Sequence, residues 1–119
     1  MEKTRQLVDT IVAGIQEKKG RGITIIDLRG LEGAICQYFV VCTGQSPTQV
    51  DAIADEVEEY VRINAKDKPV KIIGKENSQW VAMDYVDVMV HVFLPDVREY
   101  YNIENLWEDA KIEQIADLD

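Results

Sequence analysis

Residues 79–94 read QWVAMDYVDVMVHVFL, and their alternation decides the architecture. Side chains on a strand point to opposite faces in turn, so two runs joined by a tight turn sort into two sets. One set holds Val81, Met83, Val88, Val90, Val92 and Leu94, all apolar; the other holds Trp80, Asp84, Asp87, Met89, His91 and Phe93. Direct pairing around Tyr85-Val86 sets Trp80 opposite His91, Ala82 opposite Met89 and Asp84 opposite Asp87. The apolar face is expected to pack on helices. The mixed face makes a poor core and reads as a contact surface, in which a tryptophan anchor stands beside two carboxylates turned outward. The register is the open point. A two-residue loop wants positive φ, which Val86 resists, so a longer turn stays in play.

Outward from the hairpin, the chain alternates helix and strand signals. Leu7, Val8, Ile11, Val12 and Ile15 recur at helical spacing, which predicts a first helix over about Lys3 to Lys19, closed by Gly20-Arg21-Gly22. Residues 23–28 and 38–42 are short, apolar and β-branched, the pattern of central strands. At Ser46-Pro47-Thr48-Gln49 a cap, a first-turn proline and a capping-box side chain coincide. The helix that starts there buries Val50, Ile53, Ala54, Val57 and Val61. Pro69–Ile73, Gln79–Asp84 and Asp87–Leu94 read as the remaining strands of five. Pro95 stops the last, Asp96 can cap the next helix, and a helical stretch is expected from Val97 to about Ala110, broken at Asn102, before a frayed end. The whole is an α/β protein: one domain over residues 1–119 with an acidic tail over about 110–119.

The formal charge is −9. Eight acids against Arg98 and Lys111 place −6 of it between Asp96 and Asp119. Nucleic-acid binding draws on clustered cations, which the sequence lacks, so direct RNA contact is disfavoured. A basic protein partner suits the field, while plain solubility explains the same acidity. Cys36 and Cys42 match neither a redox pair nor a zinc knuckle and read as reduced thiols. With no signal-peptide core and no membrane-length apolar run, a cytoplasmic protein without membrane contact is expected.

Each candidate has a plainer reading. Trp80 is a core residue or a partner anchor; His91 is an ordinary strand histidine before it is a ligand or base; Asp84 and Asp87 are turn residues before they are contacts. Trp107 seals the sheet edge. For catalysis the signals are poor. Asp87 and His91 on one strand stand ~13 Å apart, too far to share a metal ion. Cys42 lies in an apolar strand, where a thiol is inert. Thr43-Gly44-Gln45-Ser46 offers amides at a helix start, an anion-binding geometry that serves equally as a cap.

Five pieces in fixed order carry a resemblance: YFVVCTGQS, QVDAIADEV, Trp80, DYVDVMVHVF and REYYNIENLWEDA, spanning Tyr38 to Ala110. Together they resemble the Iojap, or ribosomal silencing factor, family. The resemblance implies a nucleotidyltransferase-like fold with a mixed five-stranded sheet, used for binding without a cofactor and not for catalysis. It further implies docking on the fourteenth large-subunit ribosomal protein of the large ribosomal subunit, which blocks joining of the subunits and damps translation under nutrient limitation, and a homodimer when free. Matching positions assign Trp80, Asp84, Tyr85, Asp87 and Met89 to partner contact. His91, Arg98, Tyr101, Glu104, Leu106 and Trp107 fall to packing or self-association. Gln37, Ile73 and Val86 depart from the family pattern, which has Asp, Glu and Gly there. The rival reading is a nucleotide-binding or nucleotide-transferring enzyme. The strand Val70-Lys71-Ile72-Ile73 lacks the carboxylate pair such an enzyme needs for metal.

Overall fold

The computed structural model describes residues 3–118. The chain runs α1 (Lys3–Glu17), β1 (Arg21–Asp27), β2 (Tyr38–Thr43), α2 (Pro47–Ala65), β3 (Lys71–Ile73), β4 (Trp80–Asp84), β5 (Val88–Phe93), α3 (Pro95–Tyr101), a 3-10 turn (Ile103–Asn105) and β6 (Lys111–Gln114). The strands form one mixed sheet of six in the order β3-β4-β5-β2-β1-β6. β2 and β5 run parallel, and the remaining neighbours are antiparallel.

α1 and α2 cover one face. Val8, Ile11, Val12 and Ile15 of α1 meet Val50, Ile53, Ala54, Val57 and Val61 of α2, the stripe that the spacing predicts, over Ile23, Ile25, Val40, Val81, Met83, Val88, Val90 and Val92. Gly14 permits the close crossing, because a Cβ there would lie 3.2 Å from Tyr60 Cβ and 3.3 Å from Val57 Cα. The start of α2 is doubly tied. Ser46 Oγ accepts from Gln49 N at 3.1 Å, and Gln49 Oε1 accepts from Gln45 N at 2.7 Å, one residue further back than a standard capping box. Gln49 Nε2 also donates to Lys18 O at 3.3 Å, joining the end of α1 to the start of α2.

The other face carries a second core. Ile26, Leu28, Phe39, Val41, Phe93 and Ile103 are buried there, with Trp80, Met89, Val97 and Trp107 packed around them. This corrects the expectation of an open contact face: the segment after β5 folds back over the sheet and closes much of it. The helix expected over residues 97–110 is also shorter. α3 ends where Asn102 turns left-handed (φ 49°), its N–H bonded to Arg98 O. Asp96 does not cap α3; the N-cap is Leu94, which makes no side-chain bond, with Pro95 in the first turn.

The sixth strand was not expected. β6 is exposed along its length and pairs with β1 from Thr24↔Gln114 to Asp27↔Lys111. Side chains reinforce it: Arg5 Nη2 meets Glu113 Oε1 at 3.0 Å, and Gly22 N donates to Asp117 Oδ1 at 2.9 Å. Asp119, the last residue of the expected acidic tail, lies outside the described residues.

Candidate functional site

The β4–β5 hairpin forms, with a register two residues from the direct one. Trp80 pairs with Phe93, Ala82 with His91 and Asp84 with Met89. Val86 explains the difference. It sits at φ 74°, and Asp87 N donates to Tyr85 O at 2.9 Å, closing a γ-turn of the strained, positive-φ kind. Asp84 Oδ1 accepts from Val86 N at 2.8 Å and steadies the bend. A two-residue slip preserves which side chains share a face, so the sorting of the hairpin survives although its pairs do not.

On the second face, aromatic rings gather at the Trp80 end. The Trp80 ring stacks on Phe93 with centroids 4.8 Å apart and meets Tyr101 at 4.8 Å. Its Nε1–H donates to His91 Nδ1 at 3.0 Å. An indole N–H only donates, so Nδ1 carries no proton and the imidazole is neutral with its hydrogen on Nε2. His91 is only 4% exposed, and burial pushes its pKa down to about 4. Nε2 finds no acceptor among the described residues, an omission that costs about 1–3 kcal/mol. Phe39 closes the other side of the imidazole edge-on, with centroids 4.6 Å apart.

This cluster reaches the surface. Tyr101 is 51% exposed and Tyr100 81%; the two tyrosine rings meet edge-to-face at 5.0 Å. Half-buried Trp80 borders them. Scattered apolar residues are ordinary on a surface, but aromatic rings in mutual contact form a patch that suits a partner.

Arg98 holds α3, and with it this patch, against the sheet. Its Nε and Nη2 clasp Glu104 at 2.7 and 2.8 Å. Nη1 donates to Gly22 O at 2.8 Å and Thr43 Oγ1 at 2.9 Å, and Nη2 to Thr24 Oγ1 at 3.1 Å. All five guanidinium hydrogens are thereby used. The β1–β2 register breaks between Arg21 and Thr24. Gly22 sits in that irregularity at φ 58°, where a Cβ would lie 2.9 Å from Arg98 Nη1.

The five residues expected at a contact surface do not form one patch. Trp80 and half-buried Met89 belong to the second face. Asp84 ends β4, ~13 Å along the strand from Trp80, and its carboxylate is spent on the turn. Asp87 is exposed, while its carbonyl accepts from Gln37 N at 2.8 Å and Tyr38 N at 3.2 Å. Tyr85 corrects the expectation outright: it is 4% exposed in the core shared with α1 and α2. Its hydroxyl has no partner among the described residues, and burial, then Glu58 and Asp67, raise its pKa. Tyr85 continues the alternation of Val81 and Met83 onto the helix-covered face. Tyr100 is the part of the site that sequence reasoning passed over, since an exposed ring leaves no periodic trace; Arg98 and Glu104, assigned to packing or self-association, form the clasp.

The strand-to-helix turn keeps few amides for an anion. Gly44 N donates to Phe93 O at 2.9 Å, and Gln45 N and Gln49 N are engaged in the cap. Burial pushes the Cys36 thiol up to about 11 and Cys42 to about 12, away from thiolate chemistry. Among the described residues no three His, Cys, Asp or Glu side chains gather closely enough to hold a metal ion, and no helix is long and apolar enough to cross a membrane.

A family model described as "Ribosomal silencing factor during starvation" matches residues 1–119. The chain is 36% identical over 115 residues to the ribosomal silencing factor RsfS of Bacillus subtilis, covering 97% of this chain and 93% of the relative. It is 30% identical over 115 residues to mouse mitochondrial assembly of ribosomal large subunit protein 1, covering 92% of this chain and 50% of that one. In structure it is similar to a crystallised Chromobacterium violaceum protein, with a TM-score of 0.84 at 36% identity over 93% of this chain and 90% of the other.

Proposed function

The chain belongs to the ribosomal silencing factor family, and from that premise we propose that it docks on the large ribosomal subunit through the fourteenth large-subunit ribosomal protein and blocks subunit joining. It represses translation under nutrient limitation in this way. The observation that carries the reading is the aromatic patch of Trp80, Tyr100 and Tyr101 on an acidic chain. Interface anchors are enriched in Trp and Tyr, and acidic surroundings select a basic protein over RNA as the direct contact. Met89, Asp84 and Asp87 extend the contact along the hairpin, and Tyr85, buried under α1 and α2, takes no part in it.

The repression is steric. With principal extents of 35 × 33 × 29 Å, a body seated on the joining face fills the gap into which the small subunit must close. No bond is made or broken and no cofactor takes part, so the kinship of the fold with nucleotidyltransferases is one of ancestry. The protein works in the cytoplasm as one domain and is a homodimer when free. The name of the mouse relative, which concerns assembly of the mitochondrial large subunit, agrees with a large-subunit partner.

Co-sedimentation with purified large subunits tests the site. Trp80→Ala and Tyr101→Ala are each expected to weaken capture by about 30-fold or more, the loss of one hot-spot residue. Asp84→Ala with Asp87→Ala should weaken it less, as rim charges do. Undiminished capture by both aromatic variants would remove the site, and subunit joining unaffected by saturating protein would remove the mechanism.

A further inference from the structure

Trp80 opens β4 beside a sheet edge, where an indole has room to swing. Three contacts deny it that freedom. Phe93, its directly paired residue, stacks under the ring at 4.8 Å. Tyr101 closes on it at 4.8 Å. The third contact is polar and diagonal: His91 pairs with Ala82, and the small alanine leaves space for the indole N–H to cross to His91 Nδ1 at 3.0 Å. The imidazole is in turn set by Phe39, whose ring meets it edge-on at 4.6 Å. Packing alone does not call for a histidine here. The residue is 4% exposed, and its Nε2–H is left without an acceptor among the described residues, so an apolar side chain would fill the same volume without that loss. What the histidine supplies is a fixed acceptor.

We propose that His91 is a positioning residue for docking: it draws the only polar atom of the Trp80 side chain inward and locks the ring in the orientation that presents carbon, beside Tyr101, to the partner. This rests on the docking reading above. A ring so held offers an apolar edge and a π surface, which suits a basic protein that brings an arginine or an aliphatic side chain to it. Locking it in the free protein removes a rotamer that binding would otherwise have to freeze.

The full-length protein and four variants, Trp80→Ala, Trp80→Phe, His91→Leu and His91→Asn, are compared for melting temperature, for the NMR shift and solvent exchange of the Trp80 indole N–H, and for affinity to purified large subunits. His91→Leu is expected to stay folded, to expose the indole N–H to exchange, and to bind about tenfold more weakly. His91→Asn, whose Oδ1 takes the place of Nδ1, should restore most of both. Trp80→Phe keeps a ring but not the donor and should bind as weakly as His91→Leu; it carries the test if the leucine variant does not fold. In the Trp80→Ala background His91→Leu should change nothing further. If Trp80→Ala binds like the parent, the docking reading falls. If Trp80→Ala is weakened while folded His91→Leu, or Trp80→Phe in its stead, binds like the parent, docking stands and the positioning role is overturned.

Discussion

Val86 adopts φ 74° with a branched side chain 61% exposed, so it bears backbone strain and gains little burial in return. Non-glycine residues held in such regions cost about 1–3 kcal/mol, whereas glycine there loses roughly 0.5–1 kcal/mol in chain entropy. Val86→Gly is therefore expected to stabilise by about 1 kcal/mol and to raise the melting temperature by roughly 4 °C. A calorimetric scan showing no rise would mean that the turn is not strained. His91 makes a second prediction at this scale. Burial lowers its pKa from 6.5 to about 4, so between those values the unfolded chain binds a proton that the folded chain does not. Stability is then full above about pH 6.5 and falls as pH drops toward 4, by up to about 3 kcal/mol. Below that range the folded form is protonated too, and the indole bond to Nδ1 is lost. Urea unfolding at several pH values checks this: His91→Leu should flatten the slope between pH 6.5 and 4, and an unchanged slope would assign it to other groups.

α3 carries two rings of the proposed docking patch, and it and the 3-10 turn are held by one clasp more than by apolar burial. α3 buries no residue fully, while the Arg98–Glu104 pair is 16% and 22% exposed and bonds at 2.7 Å. Removing one partner of a fully buried pair costs 3–5 kcal/mol, and partial exposure discounts that here to about 2 kcal/mol. Arg98→Lys, which cannot fork to five acceptors, is expected to lose that much, to speed hydrogen exchange in α3, and to weaken large-subunit capture although Arg98 lies beneath the patch. Exchange in α3 no faster than in the parent would show that Val97 and Ile103 suffice to hold it. How much of this was legible depends on what each element does to its sequence. α1 and α2 bury one stripe and begin or end at capping residues, so spacing alone finds them. The hairpin announces two faces by alternation, and Trp80 and Met89 could be sorted from it. Register could not, because it turns on one φ angle at Val86. β6 left no pattern, since Lys111–Gln114 is exposed throughout and joins the sheet by backbone pairing to β1. Tyr85 misled for another reason: it continues the alternation of Val81 and Met83 onto the helix-covered face, but was read as a turn residue and not counted with that set.

At the scale of the whole molecule, the fold gives the proposed partner one aromatic landing place. α1 and α2 seal one face, the second core seals most of the other, and the aromatic patch emerges where α3 meets β4. The chain carries a charge of −9, and Asp96 and Glu99 are exposed on α3 itself. Such a field acts at range, so it should govern how often a basic partner is met, while the rings of the patch govern how long it is kept. Salt separates the two. The screening length shrinks from about 10 Å at 0.1 M to roughly 3 Å at 1 M, so raising salt from about 50 to 500 mM should slow association with large subunits by about tenfold or more and change dissociation by less than about threefold. Asp96→Asn with Glu99→Gln should reduce the salt dependence of association and leave dissociation alone, whereas Trp80→Ala should do the reverse. Stopped-flow mixing of labelled protein with purified subunits reads both rates at once. Association indifferent to salt, with dissociation responding instead, would place the acids inside the contact and not around it, and the patch would then be the rim of an interface centred elsewhere.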